Sequence, residues 1–365
     1  MAVTSYGVND PLAVKLWSKL LAVEVLKNTW ASKFMGTSTS SVIQIKDELS
    51  KSAGDKITYG LRMQLTGLGV LGDGTLEGNE ESLTTYSDAV VINQLRHAVR
   101  SAGRMSQQRV PFSIRDEALS GLRDWWTDRF DAGFFNQICG NTFVTDTRLT
   151  GNMSVTAPDL VNHYVNAQGT GFSQDENLTS TMTFTLTLID KAVERARTLG
   201  TSGLGASTGP AIRPVKVDGR ELYVAFLHPF QVTDMRTSTS TGQWLDIQKA
   251  AMTGGEIDDN PIFDGSLGVY NGVILHSDVR VTTGVNSSTA AQAASVRRAV
   301  FAGAQAGMIA FGRDHGPERF TWVEELFDYE NELGVSAGSI FGLKKAVFNS
   351  VDFATVVMSS WAAQH

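Results

Sequence analysis

Residues 55–100 constrain the fold of this chain more than any other stretch. "KITYGLRMQL" places Ile57, Tyr59, Leu61, Met63 and Leu65 on one face and Thr58, Gly60, Arg62 and Gln64 on the other, the period of two of a β-strand. "VVINQLRHAVR" alternates again on the way back, with Val91, Asn93, Leu95, His97 and Val99 set against Val90, Ile92, Gln94, Arg96 and Ala98. The two runs read as one long hairpin. A two-stranded ribbon is at best marginally stable in water unless it packs on something else, and no adjacent segment is patterned to cover this one. The missing cover points to another molecule.

The tip of that hairpin, "TGLGVLGDGTLEGNEE", contains Gly67, Gly69 and Gly72 at the G-x-G-x-x-G spacing that cradles a dinucleotide pyrophosphate. That fingerprint needs a strand before it and a helix starting within it. The strand is present, but "DGTLEGNEESLTTY" has no recurring apolar stripe and predicts no helix. Without a helix N-terminus no row of free N–H groups faces a phosphate, and Asp73, Glu77, Glu80 and Glu81 repel one. Calcium fails as well: Asp73, Thr75, Glu77 and Asn79 alternate, but Thr75 and Thr84 stand where the calcium loop needs Asp or Asn and a Glu. The stretch reads as a solvated acidic turn, and no cofactor is expected.

At 365 residues the chain has room for two domains, and 42% apolar against 19% charged residues is a globular balance. A net charge of −7 argues against a dedicated nucleic-acid binder. Cys139 is the single cysteine, so no intrachain disulfide framework exists. No signal-peptide pattern opens the sequence and no apolar run reaches the ~18 residues of a membrane span. The expected product is soluble, made in a cytoplasm, and has no membrane partner.

Along the chain, Asp10 and Pro11 open a helix whose stripe is Leu12, Leu16, Leu20, Val23, Leu26 and Trp30. The strongest helix signal is "VPFSIRDEALSGLRDWWTDRFDAGFFNQICG". Ser113 with Asp116 and Glu117 caps it, Gly140 closes it, and Ile114, Ala118, Leu122, Trp125, Trp126, Phe130, Phe134 and Ile138 run down one broad side. Its span of roughly 39 Å is long for a compact domain. A second helix over Thr183–Leu199 turns Leu186, Ile189, Val193 and Ala196 inward. "GTSGLGASTGPAIRPVKVDG" reads as a linker with a domain boundary. Beyond it the strands "ELYVAFL", "LGVYNGVILHSDVRV" and "RRAVFAGAQAGMIAFG", a helix entry at "HPFQVTDMR" and a helix at "QWLDIQKAAM" form an α+β segment, followed by a β-rich tail, "AVFNSVDFATVVMSS".

A search by mechanism returns no site. The six histidines show no metal-ligand spacing, and no nucleophile elbow or phosphate loop appears. Cys139 ends an apolar helix face and reads as a small buried hydrophobe. Trp125 and Trp126 read as core. Asp124, Asp128 and Asp131, interleaved with Arg123 and Arg129, read as a solvated, salt-bridged face.

An N-terminal arm, an extended hairpin, a long helix, a second helix, an inserted α+β unit and a returning β tail follow the order of the Hong Kong 97-type major capsid fold of tailed bacteriophages. "YGVNDPLAVKLWSKLL", "DKITYGLRMQLTG", "GDGTLEGNEE", "RVPFSIRDEA", "FFNQICGN", "LHPFQVTDMR", "NPIFDGSLGVYNGVILH" and "GSIFGLKK" resemble segments of the major capsid proteins of N-four-type short-tailed phages. Glu330 in "FDYENELG" stands where the family has glycine, which bears on the local turn alone. The resemblance implies an N-terminal arm over 1–46, an E-loop over 47–100, a P-domain with the spine helix over 101–217, an A-domain over 218–312 and a return to the P-domain over 313–365.

It further implies a structural, non-enzymatic protein that assembles with itself into hexamers and pentamers of an icosahedral head around double-stranded DNA, which it contacts loosely. Portal, scaffold and decoration proteins are the implied partners, and the virion, built in the host bacterial cytoplasm, is the implied location. The expected subunit interface is the row Ile57, Tyr59, Leu61, Met63 and Leu65 with Gly67, Gly69, Gly72, Asp73, Glu77, Glu80 and Glu81 at the tip. An encapsulin-like compartment shares the fold and is the alternative; a dinucleotide enzyme would need the helix missing after Gly72.

Overall fold

A computed structural model describes residues 11–50, 53–62, 65, 69–111, 113–165, 169–170, 174–199, 211–217, 219–237, 266–312 and 319–364. Its axis is the long helix Ile114–Ile138. The Ser113 hydroxyl accepts the Asp116 N–H at 3.4 Å and so caps the start. The end is a Schellman turn, in which Asn141 N–H donates to the Asn136 carbonyl at 3.0 Å and Gly140 takes φ 64°. A side chain at Gly140 would also meet Pro158, 2.6 Å from an added Cβ. Ala118, Leu122, Trp126, Phe130, Phe134 and Ile138 are buried as the periodicity requires. Trp126 and Phe130 pack on Phe320 and Phe341, with ring centroids 4.7 to 6.0 Å apart.

The N-terminal helix Pro11–Asn28 buries a different face from the expected one. Ser18, Leu21, Ala22 and Val25 are buried, whereas Leu20 and Val23 are exposed. "LWSKLLAVEVL" is apolar on more than one side, so periodicity alone does not select the inner face. Tertiary bonds do: the Ser18 hydroxyl donates to the Phe320 carbonyl at 2.6 Å. Asp131 also departs from expectation. It is not on a solvated face but buried, accepting the Trp30 and Ala31 N–H groups at 3.1 and 2.9 Å. It thereby fastens the N-terminal segment to the long helix, and burial pushes its carboxyl up.

Two sheets flank the helix. The six-stranded sheet is built on the long strand Glu332–Lys345, which pairs with Thr321–Phe327 and Gly307–Phe311 on one edge and Asn93–Arg100 on the other. The nine-stranded sheet includes Arg220–Leu227, Val273–Ser277, Gln292–Ala302 and the tail strand Thr355–Trp361. The helix Leu186–Thr198 buries Leu186, Ile189, Val193 and Ala196, as expected. Part of the expected linker is strand: Val215–Val217 pairs with Arg220–Leu222. The expected helix "QWLDIQKAAM" lies outside the described residues, as do Met63 and Gly67. At the turn before Glu332, Asp328, Tyr329 and Glu330 all adopt left-handed φ, 50°, 51° and 65°, so the turn forms even with Glu330 in place of glycine.

The helix Pro229–Thr237 begins at a buried histidine. His228 Nδ1 accepts the Phe230 N–H at 3.2 Å, a role that needs the neutral ring. Burial, then the Arg297 charge, pushes this imidazole down to about 4. The unfolded chain, with a histidine near 6.5, takes up the proton first. Stability from this site is therefore full above pH ~6.5 and is lost as pH falls towards the folded value. Denaturant titrations between pH 7 and 4 should show this decline, and His228→Asn should flatten it.

Candidate assembly surface

The hairpin divides into a covered base and a bare tip. Lys56–Arg62 pairs antiparallel with Thr85–Val91, from Lys56↔Val91 to Arg62↔Thr85. After Ile92 the chain leaves this ribbon, and Asn93–Arg100 pairs instead with Gly334–Phe341. The single ribbon expected over 55–100 is thus two pieces, because alternation marks a strand without naming its partner.

The base already has a cover within the chain. Ile57, 5% exposed, and Val90 pack with Leu49, Met308 and Ala310. The Tyr59 ring meets Phe348 at 5.7 Å and its hydroxyl donates to Asp88 at 2.9 Å. Burial, then the Asp88 charge, pushes the Tyr59 phenol up. Asp88 pairs with Lys344 and accepts the Val347 N–H at 3.2 Å. Ile57, expected to await a neighbour, is therefore consumed inside its own chain; Tyr59 and Leu61 are half-buried and Leu65 is exposed.

Residues 71–85 are all exposed. Leu71 is 93% exposed and Leu76 61%, so the tip carries apolar side chains outside the core. Two turns organise the tip, with Gly74 N–H donating to Leu71 O and Asn79 N–H to Leu76 O. Gly69, Gly72 and Gly78 have φ of 70°, 59° and 87° with open space around an added Cβ, so backbone conformation and not crowding favours glycine there. No helix follows Gly72: residues 74–84 are turns and irregular chain.

The fold does bring together a serine, a histidine and an aspartate that are far apart in sequence. His163 Nε2 lies 2.8 Å from Ser359 Oγ and 3.3 Å from Asp175 Oδ1. In a catalytic triad serine and carboxylate occupy opposite ring nitrogens. Here both meet Nε2, Nδ1 has no hydrogen bond among the described residues, and all three side chains are fully buried. The group is structural: Arg298 Nε donates to Asp175 Oδ2 at 2.7 Å and its Nη1 to the Gly140 carbonyl at 2.7 Å, joining the nine-stranded sheet to the end of the long helix. Lys345 and Asp352 form a second buried pair at 2.7 Å. Cys139 is fully buried and burial pushes its thiol up. Among the described residues no cluster of three or more His, Cys, Asp or Glu is placed to hold a metal ion, and no helix is long and apolar enough to cross a membrane.

What the molecule presents is thus an exposed acidic tip on a two-sheet body. A family profile described as phage capsid protein matches residues 5–364. The chain belongs to the phage capsid protein family. It is 33% identical to the capsid protein of Ralstonia phage GP4, with 100% of this chain and 99% of that one covered and a TM-score of 0.78. The major capsid protein of Pseudomonas phage KPP25 is 27% identical over 92% of this chain and 90% of its own length. The capsid of cyanophage Pam1 shares the fold, at 20% identity, a TM-score of 0.69 and coverage of 100% and 95%. This phage capsid protein is a tailed-phage major capsid protein of the Hong Kong 97-type, α+β fold, and it forms the shell of the virion. The encapsulin alternative is not favoured.

Proposed function

We propose that this capsid protein builds an icosahedral head of hexamers and pentamers around double-stranded DNA, and that its hairpin tip, residues 69–84, lies on the neighbouring subunit. The observation that carries the reading is the tip itself, which holds Leu71, Leu76 and Leu83 and four carboxylates in water. A second copy covers them by a head-to-tail contact, and such contacts close into rings when the rotation permits. Leu65, Gly69, Gly72, Asp73, Glu77, Glu80 and Glu81 are then the interface; Met63 and Gly67, in the same stretch of sequence, lie outside the described residues. The E-loop, P-domain and A-domain over 47–100, 101–217 with 313–365, and 218–312 are the working parts, and the tail strand Thr355–Trp361 joins two of them by pairing with Gln292–Ala302. A net charge of −7 suits loose contact with the packaged genome. Portal protein, and scaffold and decoration proteins where assembly uses them, are further partners of a shell made in the host cytoplasm.

The full chain, expressed alone or with a scaffold, should give closed shells with hexameric and pentameric units by cryo-electron microscopy. A protein that stays monomeric under every such condition would argue against the proposal.

A further inference from the structure

Resting on that reading, the structure also points to where the tip seats. We propose that the hairpin tip of one copy docks in the groove beside strand Asn93–Arg100 of a second copy, with tip carboxylates meeting Arg96 and Arg148. The groove has a volume of about 500 Å³ and is lined by Gln94, Arg96, His97, Thr147, Arg148 and Asn152 among others. Its strand pairs with Gly334–Phe341 along one edge, and among the described residues no strand pairs along the other. An open edge carrying charge is how a sheet resists non-specific pairing while keeping a place for a chosen partner.

The charges are complementary. From Met63 to Leu95 the chain has no Lys or Arg, while Asp73, Glu77, Glu80 and Glu81 crowd the tip. Glu80 accepts the Gly78 N–H at 2.7 Å. Asp73 and Glu77 make no hydrogen bond or ion pair among the described residues. On the groove side, Arg96 is exposed and forms no ion pair among the described residues. Arg148 is half satisfied: its guanidinium donates to Asp146 at 2.7 to 3.0 Å, which holds the Asp146 carboxyl down at about 2. Arg96 is therefore the main cation of the groove. One wall is fixed, because His97 stacks on Trp125 at 4.5 Å and Arg129 lies over the same indole.

The occupant is a second copy and not the chain's own tip. Strand Thr85–Val91 runs from the tip to Ile92, and Asn93–Arg100 continues beyond it, so tip and groove lie at opposite ends of one run. That placement makes the contact head-to-tail, as ring closure needs.

Full-length Arg96→Glu should keep the thermal midpoint of the unassembled subunit and lower the yield of shells by about tenfold or more. Adding Glu77→Lys should restore them. In a separate variant, Glu77→Cys with Arg96→Cys should give covalent multimers on mild oxidation of shells, and neither single cysteine should. Normal shells from an Arg96→Glu, Arg148→Glu variant, in a chain whose tip deletion still blocks assembly, would overturn the groove while leaving the hairpin reading intact. Absence of both rescue and cross-link would overturn it too.

Discussion

Arg298→Met should destabilise the unassembled subunit by about 3–5 kcal/mol, the range for breaking a buried ion pair from one side. Arg298 is 4% exposed, and besides Asp175 it serves the Gly140 carbonyl at the end of the long helix. Methionine fills the volume but leaves Asp175 charged and buried, with the Val285 N–H at 3.1 Å among its remaining partners. Replacing Asp175 by Asn as well removes the stranded charge and should recover part of the loss. The pH dependence has a definite sign. Burial alone would push the Asp175 carboxyl up, but His163 and then the Arg298 charge hold it well below the usual carboxylate range. The stability it contributes is present above pH ~3.9 and is lost as pH falls towards the lower folded value. The deficit of Arg298→Met should therefore be largest at pH 7 and shrink below pH 4 in urea titrations. A deficit under ~1 kcal/mol at pH 7 would mean that the pair is not a buried linchpin.

Deleting residues 67–79 should have the opposite profile, abolishing shells while leaving the subunit folded. In the described part of that segment, residues 71–79 are exposed and their turn hydrogen bonds are internal. The ribbon base stays anchored through Ile57, Val90 and the Asp88–Lys344 pair. Light scattering should show no particles, or aberrant ones, and the melting temperature should stay within a few degrees of the parent. Normal shells from this variant would remove the tip from the interface.

The long helix was legible because its caps and its 3.6-residue period agree, and Ser113 and Gly140 act as those signals say. Elements whose signal is local were readable in this way. The errors fall where a residue's role is set by something distant. Asp131 looks like its solvated neighbours until the Trp30–Ala31 segment, a hundred positions earlier, is seen to donate to it. Leu20 and Val23 are as apolar as Leu21 and Val25, so only packing against Phe320 and the strand that follows it chooses between faces. His163, Asp175 and Arg298 carry no spacing signal, because separate strands and loops bring them together. The tip was legible in composition: glycines at positive φ and carboxylates without local cations. Which half of the hairpin the chain covers itself was not, since period two is indifferent to the partner.

Hydrogen exchange, compared between unassembled subunits and shells, tests the central claim most directly. Amides of residues 69–84 should exchange nearly freely in the subunit and become strongly protected in the shell, because a neighbour covers them only there. Those amides of 56–62, 85–91 and 93–100 that face the paired strand are bonded within the chain and should be protected in both states. Equal exchange of residues 69–84 in the two states would contradict the account.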